Sequence, residues 1–397
     1  MRKLFSGIKR HHIHRVSDAG DFILTAVTVL LAFATIASGY AGKADPHTIP
    51  SAAMAAMMFP LFVVLSLMAA VVLLIVRRRL LLVTLASFAL SMPALLVYSP
   101  MNLGRTPTAD ELPRSFKVMT YNALEWSDYT YTKLDTVTPN RSVMTVLDAD
   151  PDILCLQECG SVTLHTPGVT HELLDTFFRR YPYVEHVPLN LTLYSKFPIT
   201  RLVGQEEMSN TADYVCYRLN VRGRLLTLYN VHLQSIGLSK EDKTLYHEIT
   251  AGKTEAREIT RVRDNIFSKL YAAFVMRSDQ TRLLRSLIDT RGGNVIVCGD
   301  FNDIPGSYAV RTVMGGDLRD AFADAGTGPS VTYRAGRFYF RIDQMLYRGD
   351  FRPVKSERIR DGLSDHYPVM TTFVWDEPSV VETRRSDNDK QVKTLKQ

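Results

Sequence analysis

Three long stretches without a charged residue fill most of the first hundred positions, and they limit what this part of the chain can become. Residues 22–40, 51–76 and 80–98 contain no Asp, Glu, Lys or Arg over 19, 26 and 19 positions. At about 1.5 Å of rise per residue, some 20 apolar residues cover the roughly 30 Å hydrocarbon layer, so each run is long enough to span a bilayer as a helix. A signal peptide has a single short apolar core and accounts for one such run, not three. Pro93 lies inside the third run and is expected to kink it.

The flanking charges orient these runs. Residues 1–21 carry Arg2, Lys3, Lys9, Arg10 and Arg15 against Asp18 and Asp21, and Arg77-Arg78-Arg79 joins the second run to the third. The link 41–50 holds only Lys43 and Asp45. Basic segments stay in the cytoplasm, so the N-terminus and the Arg triplet are expected inside. Three crossings then leave the rest of the chain outside. The expected plan is a basic cytoplasmic segment 1–21, three transmembrane helices within 22–98, a linker 99–115 and an extracytoplasmic domain 116–375 of an inner- or plasma-membrane protein. Residues 376–397 carry five charges of each sign with no apolar period, which predicts a disordered tail.

Charge then narrows the choice of partner. Ten of the 47 basic and four of the 41 acidic residues fall in 1–110, which leaves 37 of each sign in 111–397. The later domain is formally neutral, which argues against a globally basic nucleic-acid-binding surface. Four cysteines in 397 residues give no disulfide framework and no paired zinc pattern.

From residue 116 the texture becomes short β-rich runs separated by turn residues. Strands are expected at 116–122, 152–156, 191–195, 214–221, 225–232, 294–298, 338–347 and 368–375. Several are apolar almost throughout, the pattern of strands covered on both faces. Helices are expected from a Thr138-Pro139 cap to Ala149, over 172–180, and over about 254–288. In the last, Val262, Ile266, Leu270, Ala273, Leu284 and Leu287 recur at three- and four-residue steps, and its charged residues, Arg277 and Arg282 among them, are assigned to a solvated outer face.

Six places put a carboxylate, amide or imidazole at the end of an apolar strand. They are Tyr121-Asn122, Gln157-Glu158, Asn230-Val231-His232-Leu233, Gly299-Asp300-Phe301-Asn302, Ile342-Asp343 and Ser364-Asp365-His366-Tyr367-Pro368. One polar group at a strand end is ordinary loop chemistry. Six ionisable or amide-bearing ends in one domain are costly to bury unless they pair with one another or hold a metal.

In this ordered set the chain resembles the endonuclease/exonuclease/phosphatase superfamily over residues 116–375. The resemblance implies an α/β (α+β) fold, a four-layer α/β/β/α sandwich preceded here by three transmembrane helices, and cleavage of phosphate esters with Mg²⁺, or Mn²⁺ as the alternative ion. It implies Glu158 as the main metal ligand, helped by Asp365 and Asn122, hard oxygen donors of the kind Mg²⁺ prefers. It makes Asp300 the group that orients and deprotonates the attacking water, and Asn302 a donor to a non-bridging phosphate oxygen. His366 contacts the phosphoryl group, with Asp343 holding its ring. His232 is a second phosphate ligand or an acid, and Asn230 helps to fix the site. For Asp343 and Asn230 a purely buried hydrogen-bonding role is the equal alternative.

Other residues have plain readings. Cys155 and Cys298 are core thiols, and nothing beside Cys159 marks a nucleophile. His11, His12 and His14 belong to a solvated cytoplasmic face. A phosphoesterase held outside a membrane meets lipid headgroups and lipid-linked phosphates, so the expected substrate is a lipid or lipid-linked phosphoester. The alternative is an extracytoplasmic nuclease with DNA or RNA as substrate only. A family member that binds without catalysis conflicts with the intact motif set, and no obligate protein partner is implied.

Overall fold

A computed structural model describes residues 18–128, 138–187, 191–203, 214–237, 256–335 and 339–377. The histidine cluster at 11–14, most of the basic N-terminus and most of the 376–397 tail lie outside these residues.

The apolar N-terminal runs become helices, with a changed count. Asp18–Ala41 and Phe59–Val76 are long and apolar enough to cross a membrane. The third run is broken into Arg78–Leu90 and Met92–Tyr98, bent by 65°. Pro93 sits in the first turn of the second piece, where its missing N–H and its ring prevent continuation from the preceding helix. The three expected spans are thus corrected to two plus a bent pair, the break falling beside Pro93 as expected. The 51–76 run is likewise divided, with Pro50–Met57 separate and Pro60 in the first turn of Phe59–Val76. Small hydroxyls join the helices: the Thr35 and Ser66 oxygens lie 2.9 Å apart, and Tyr40 donates to the Leu90 carbonyl at 2.6 Å. Large apolar side chains such as Phe22, Phe33 and Ile75 point outward.

The remainder is two six-stranded sheets. The strands are β1 (Ser115–Asn122), β2 (Ile153–Gln157), β3 (Tyr183–Val187), β4 (Leu191–Ser195), β5 (Ile199–Val203), β6 (Tyr214–Val221), β7 (Arg224–His232), β8 (Val295–Asp300), β9 (Arg319–Asp320), β10 (Asp343–Arg348), β11 (Phe351–Arg358) and β12 (Val369–Trp375). One sheet runs β11-β12-β1-β2-β4-β3 and the other β5-β6-β7-β8-β10-β9. Phe116, Val118, Ile153 and Cys155 of the first pack against Val215, Tyr217, Ile296 and Cys298 of the second, forming the layer between the sheets. Helices cover both outer faces. Val143 and Val146 of Arg141–Ala149 and Phe177 of His171–Arg180 lie over the first sheet, and Leu284 and Ile288 of Ala256–Asp289 lie over the second. The four-layer α/β/β/α sandwich is present as expected.

Differences from the sequence reading have local causes. β3, β9 and β11 were not expected: β3 is mostly exposed at a sheet edge, β11 (FRPVKSER) carries four charges at the opposite edge, and β9 has two residues, so none shows an apolar run. β5 is also an unexpected edge strand. The 141–149 helix is capped by Asn140, whose Oδ1 accepts from the Val143 N–H at 3.1 Å, not by Thr138-Pro139. The 99–115 linker is laid against the domain: Asn102 N–H donates to Gly326 O at 3.2 Å and Arg105 N–H to Val354 O at 3.0 Å, while Glu111 pairs with Arg105 and Arg352.

Candidate active site

Each sheet has one central parallel pair, and the site residues sit where those pairs end. The parallel register of β7 and β8 puts His232 beside Asp300, and the antiparallel register of β8 and β10 puts Asp343 opposite Asp300. Three adjacent strands thereby deliver His, Asp and Asp in one row. In the other sheet, β1 and β2 set Asn122 beside Gln157, with Glu158 the next residue. Gly299 makes the row possible. Its φ of 149° is unfavourable for a side chain, and a Cβ there would lie 1.8 Å from the Val231 carbonyl oxygen.

The two rows meet across the sandwich. The Asn122 amide Nδ2 donates to Glu158 Oε1 at 3.0 Å and to Asp300 Oδ2 at 3.1 Å. His232 Nε2 lies 3.5 Å from Glu158 Oε1 and 3.9 Å from Asp300 Oδ2. His366 Nδ1 is 2.9 Å from Asp343 Oδ2, and its Nε2 is 3.6 Å from Asp300 Oδ2. Asp300, Asp343 and His366 are all buried, whereas Glu158 stands at the open rim. Burial alone disfavours a charged His366, but the Asp343 and Asp300 carboxylates outweigh it and raise its pKa to about 10. Burial pushes the Asp300 carboxyl upward, with the two histidines pulling back, so Asp300 is a stronger base than an exposed carboxylate.

The remaining expected residues are placed unevenly. Asn302 follows Asp300 at φ 51°, in a turn where its N–H donates to Asp300 Oδ1 at 2.8 Å, so it is not two steps along an extended segment. Its Nδ2 donates to Leu233 O at 2.9 Å. Asn230 is buried between the sheets, accepting from Gln157 Nε2 at 2.6 Å and donating to Leu156 O at 3.0 Å. That is the buried hydrogen-bonding alternative. Asp365 borders His366 but belongs to neither close group of acidic and imidazole ligand atoms, Glu158–His232–Asp300 or Asp300–Asp343–His366, found among the described residues.

Several supporting residues were given no role in the site by the sequence. Ser364 Oγ donates to Asn122 O at 2.7 Å and accepts from the His366 N–H at 3.0 Å, so it pins the His366 loop to the end of β1. Arg334 donates to the Ser364 carbonyl at 2.7 Å and to the Gly362 carbonyl at 3.1 Å, clamping the same loop. Arg277, expected on an outer helix face, is 1% exposed and paired with Asp303 at 3.0 Å, one residue beyond Asn302. Only the serine lay within a recognised motif.

The donor set fits a hard divalent cation. Glu158 and Asp300 are two carboxylates sharing one amide N–H₂ group, with the His232 Nε2 buried beside them and without a hydrogen-bond partner among the described residues. Such convergent like charges are relieved by a cation, and oxygen donors favour Mg²⁺ or Mn²⁺ over thiophilic metals.

The family model described as Endonuclease/Exonuclease/phosphatase family matches residues 119–366, well over half of the chain. A second, described as a domain of unknown function, matches residues 21–98. No curated protein matches. Similar solved structures include an endonuclease/exonuclease/phosphatase from Beutenbergia cavernae (16% identity, 66% of this chain and 72% of that chain, TM-score 0.43). Sphingomyelinase C from Streptomyces griseocarneus (18%, 65% and 99%, TM-score 0.36) and D. rerio TDP2 with a single-strand DNA product (14%, 65% and 98%, TM-score 0.40) are two others.

Proposed function

This chain belongs to the endonuclease/exonuclease/phosphatase family, and we propose that it is a membrane-anchored, Mg²⁺-dependent phosphoesterase whose substrate is a lipid or lipid-linked phosphoester. The observation that carries the reaction class is the convergence of Glu158, His232, Asp300, Asp343 and His366 at the shared end of both sheets. Glu158, with Asp365 and Asn122 as further ligands, would hold a divalent ion that would supply Lewis-acid stabilisation of the phosphoryl oxygens. The rest is done by the chain. Asp300, buried and basic, orients a water and takes its proton as the water oxygen attacks phosphorus. Cationic His366, its ring fixed by Asp343, faces the phosphoryl oxygens as they gain charge. Asn302 uses its second amide hydrogen on a non-bridging oxygen. His232 protonates the leaving ester oxygen as the P–O bond breaks or remains a phosphate ligand.

The substrate class rests on the anchor. Two helices of spanning length carry large apolar side chains outward, as helices facing lipid do. Arg77 pairs with Asp21 at one end of the bundle, while the 42–57 segment and Val97 meet the catalytic domain at the other. Basic residues and domain at opposite ends agree with a cytoplasmic N-terminus and an extracytoplasmic site. Incubating the full-length protein and His366→Ala with a long-chain lipid phosphate in vesicles and, separately, with supercoiled plasmid tests this reading. Mg²⁺-dependent turnover of the lipid by the parent alone, with intact plasmid, is expected. Nicked plasmid and an untouched lipid would make it a nuclease.

A further inference from the structure

Helix Ala256–Asp289 does two jobs along its length. Its C-terminal half lies over the second sheet through Leu284 and Ile288. Before that, β8 has ended and the helix continues beyond the catalytic end of the sandwich. There Leu270 and Phe274 pack with Ala53 of the Pro50–Met57 helix, flanked by Met54, Met57, Ile236 and Ile266. Met58 alone separates Pro50–Met57 from the spanning helix Phe59–Val76, so this contact fixes the projecting half at the end of a membrane span. Ile236 also belongs to the loop that leaves His232, so the same contact lies beside the mouth of the site.

One part of the projecting half, after the charged run 257–264, is poor in charge for a solvated helix. Between Asn265 and Arg277 the only charged residue is Lys269. One side of this segment is covered by Ala53, Met54 and Met57, yet Phe267 and Tyr271, one turn apart, are 44% and 40% exposed beside the exposed Ser268 and Ala272. Further along, where the helix rests on the sheet, the exposed charged positions are Asp279, Arg282 and Asp289, all in ion pairs. The 42–49 link meets the charged part of the helix as well, through His47–Asp279 and Asp45–Arg282. Over Phe267 and Tyr271 no protein element is seated among the described residues.

We propose that segment 266–276 is an interfacial helix whose Phe267–Tyr271 side is seated in the bilayer that holds the anchor, and that it sets the mouth of the active site at the lipid surface. Aromatic rings suit the headgroup–acyl boundary. The proposal rests on the membrane anchoring proposed for the apolar helices and specifies how a bilayer-resident phosphoester meets the site.

The test needs no turnover, so it stands apart from the phosphoesterase reading. Full-length protein carrying Phe267→Trp, Tyr271→Trp or, as a control at the far end of the sandwich, Leu225→Trp is placed in nanodiscs of ordinary or acyl-brominated phospholipid. Trp126 and Trp375 are buried and give the background measured in the parent. The added emission at 267 and 271 is expected to be blue-shifted, resistant to iodide and reduced about two-fold or more by brominated lipid. At 225 the reverse is expected. Iodide-quenched emission at 267 and 271 with no effect of brominated lipid, or equal bromine quenching at 225, would overturn the proposal.

Discussion

His366 Nδ1 lies 2.9 Å from Asp343 Oδ2, and this contact fixes which edge of the imidazole faces Asp300. The pair is built from two distant segments, the first residue of β10 and the loop before β12, and both members are buried. Replacing Asp343 by Asn keeps the shape but removes the charge that holds His366 cationic. We expect kcat to fall by roughly 10²–10⁴, the range for losing an acid–base or charge-stabilising group, with little change in KM. Steady-state rates on a soluble phosphodiester check this, and unchanged kcat would leave Asp343 a buried hydrogen-bonding residue only.

Asn122 holds two carboxylates with one amide group. In Asn122→Leu the buried Asp300 carboxylate loses that donor, at a cost of about 1–3 kcal/mol. Chemical denaturation of the metal-free protein is expected to show a lowered midpoint. Saturating Mg²⁺ is expected to recover part of the loss, because binding only to the folded state stabilises it.

Gly299 is required by contact with the chain next to it. Gly299→Ala places its Cβ against the Val231 carbonyl in the parallel ladder that aligns His232 with Asp300. Backbone must move, so we expect a loss near or above the upper end of the usual overpacking cost, about 3 kcal/mol, together with loss of activity. Thermal unfolding of the alanine variant at parent-like temperature would show that the ladder tolerates a side chain.

The Arg277–Asp303 pair lies behind Asn302 and ties the long helix to the catalytic loop. Arg277→Met leaves a buried carboxylate unpaired and is expected to destabilise by about 3–5 kcal/mol, whereas adding Asp303→Leu is expected to restore much of that. Denaturant midpoints of the single and double variants measure the coupling. Equal midpoints for the two would deny that the cost comes from an orphaned charge.

The catalytic constellation was legible because it depends on residue types placed where apolar runs stop, as in Gly299-Asp300-Phe301-Asn302 and Ser364-Asp365-His366. Sequence does not show which polar ends meet: that Asn122 reaches Asp300 across 178 residues follows from the packing of two sheets. Edge strands such as β11 escaped because half their residues are polar, and edge position lifts the demand for apolar alternation. Arg277 was misplaced because a helical period identifies an apolar face but not an arginine whose carboxylate partner arrives from another segment. The kink at Pro93 was visible in the sequence, and the size of its 65° bend was not.

Asp300, Glu158 and His366 are proposed to form one metal-dependent hydrolytic centre. Its most direct test is release of nitrophenol from an aryl phosphodiester by the full-length protein, with Mg²⁺ and then with excess chelator, beside Asp300→Asn. Turnover that stops with the chelator, returns with Mg²⁺ and is absent in Asp300→Asn is predicted. Equal turnover by the parent and Asp300→Asn, or turnover indifferent to the metal, would contradict the assignment.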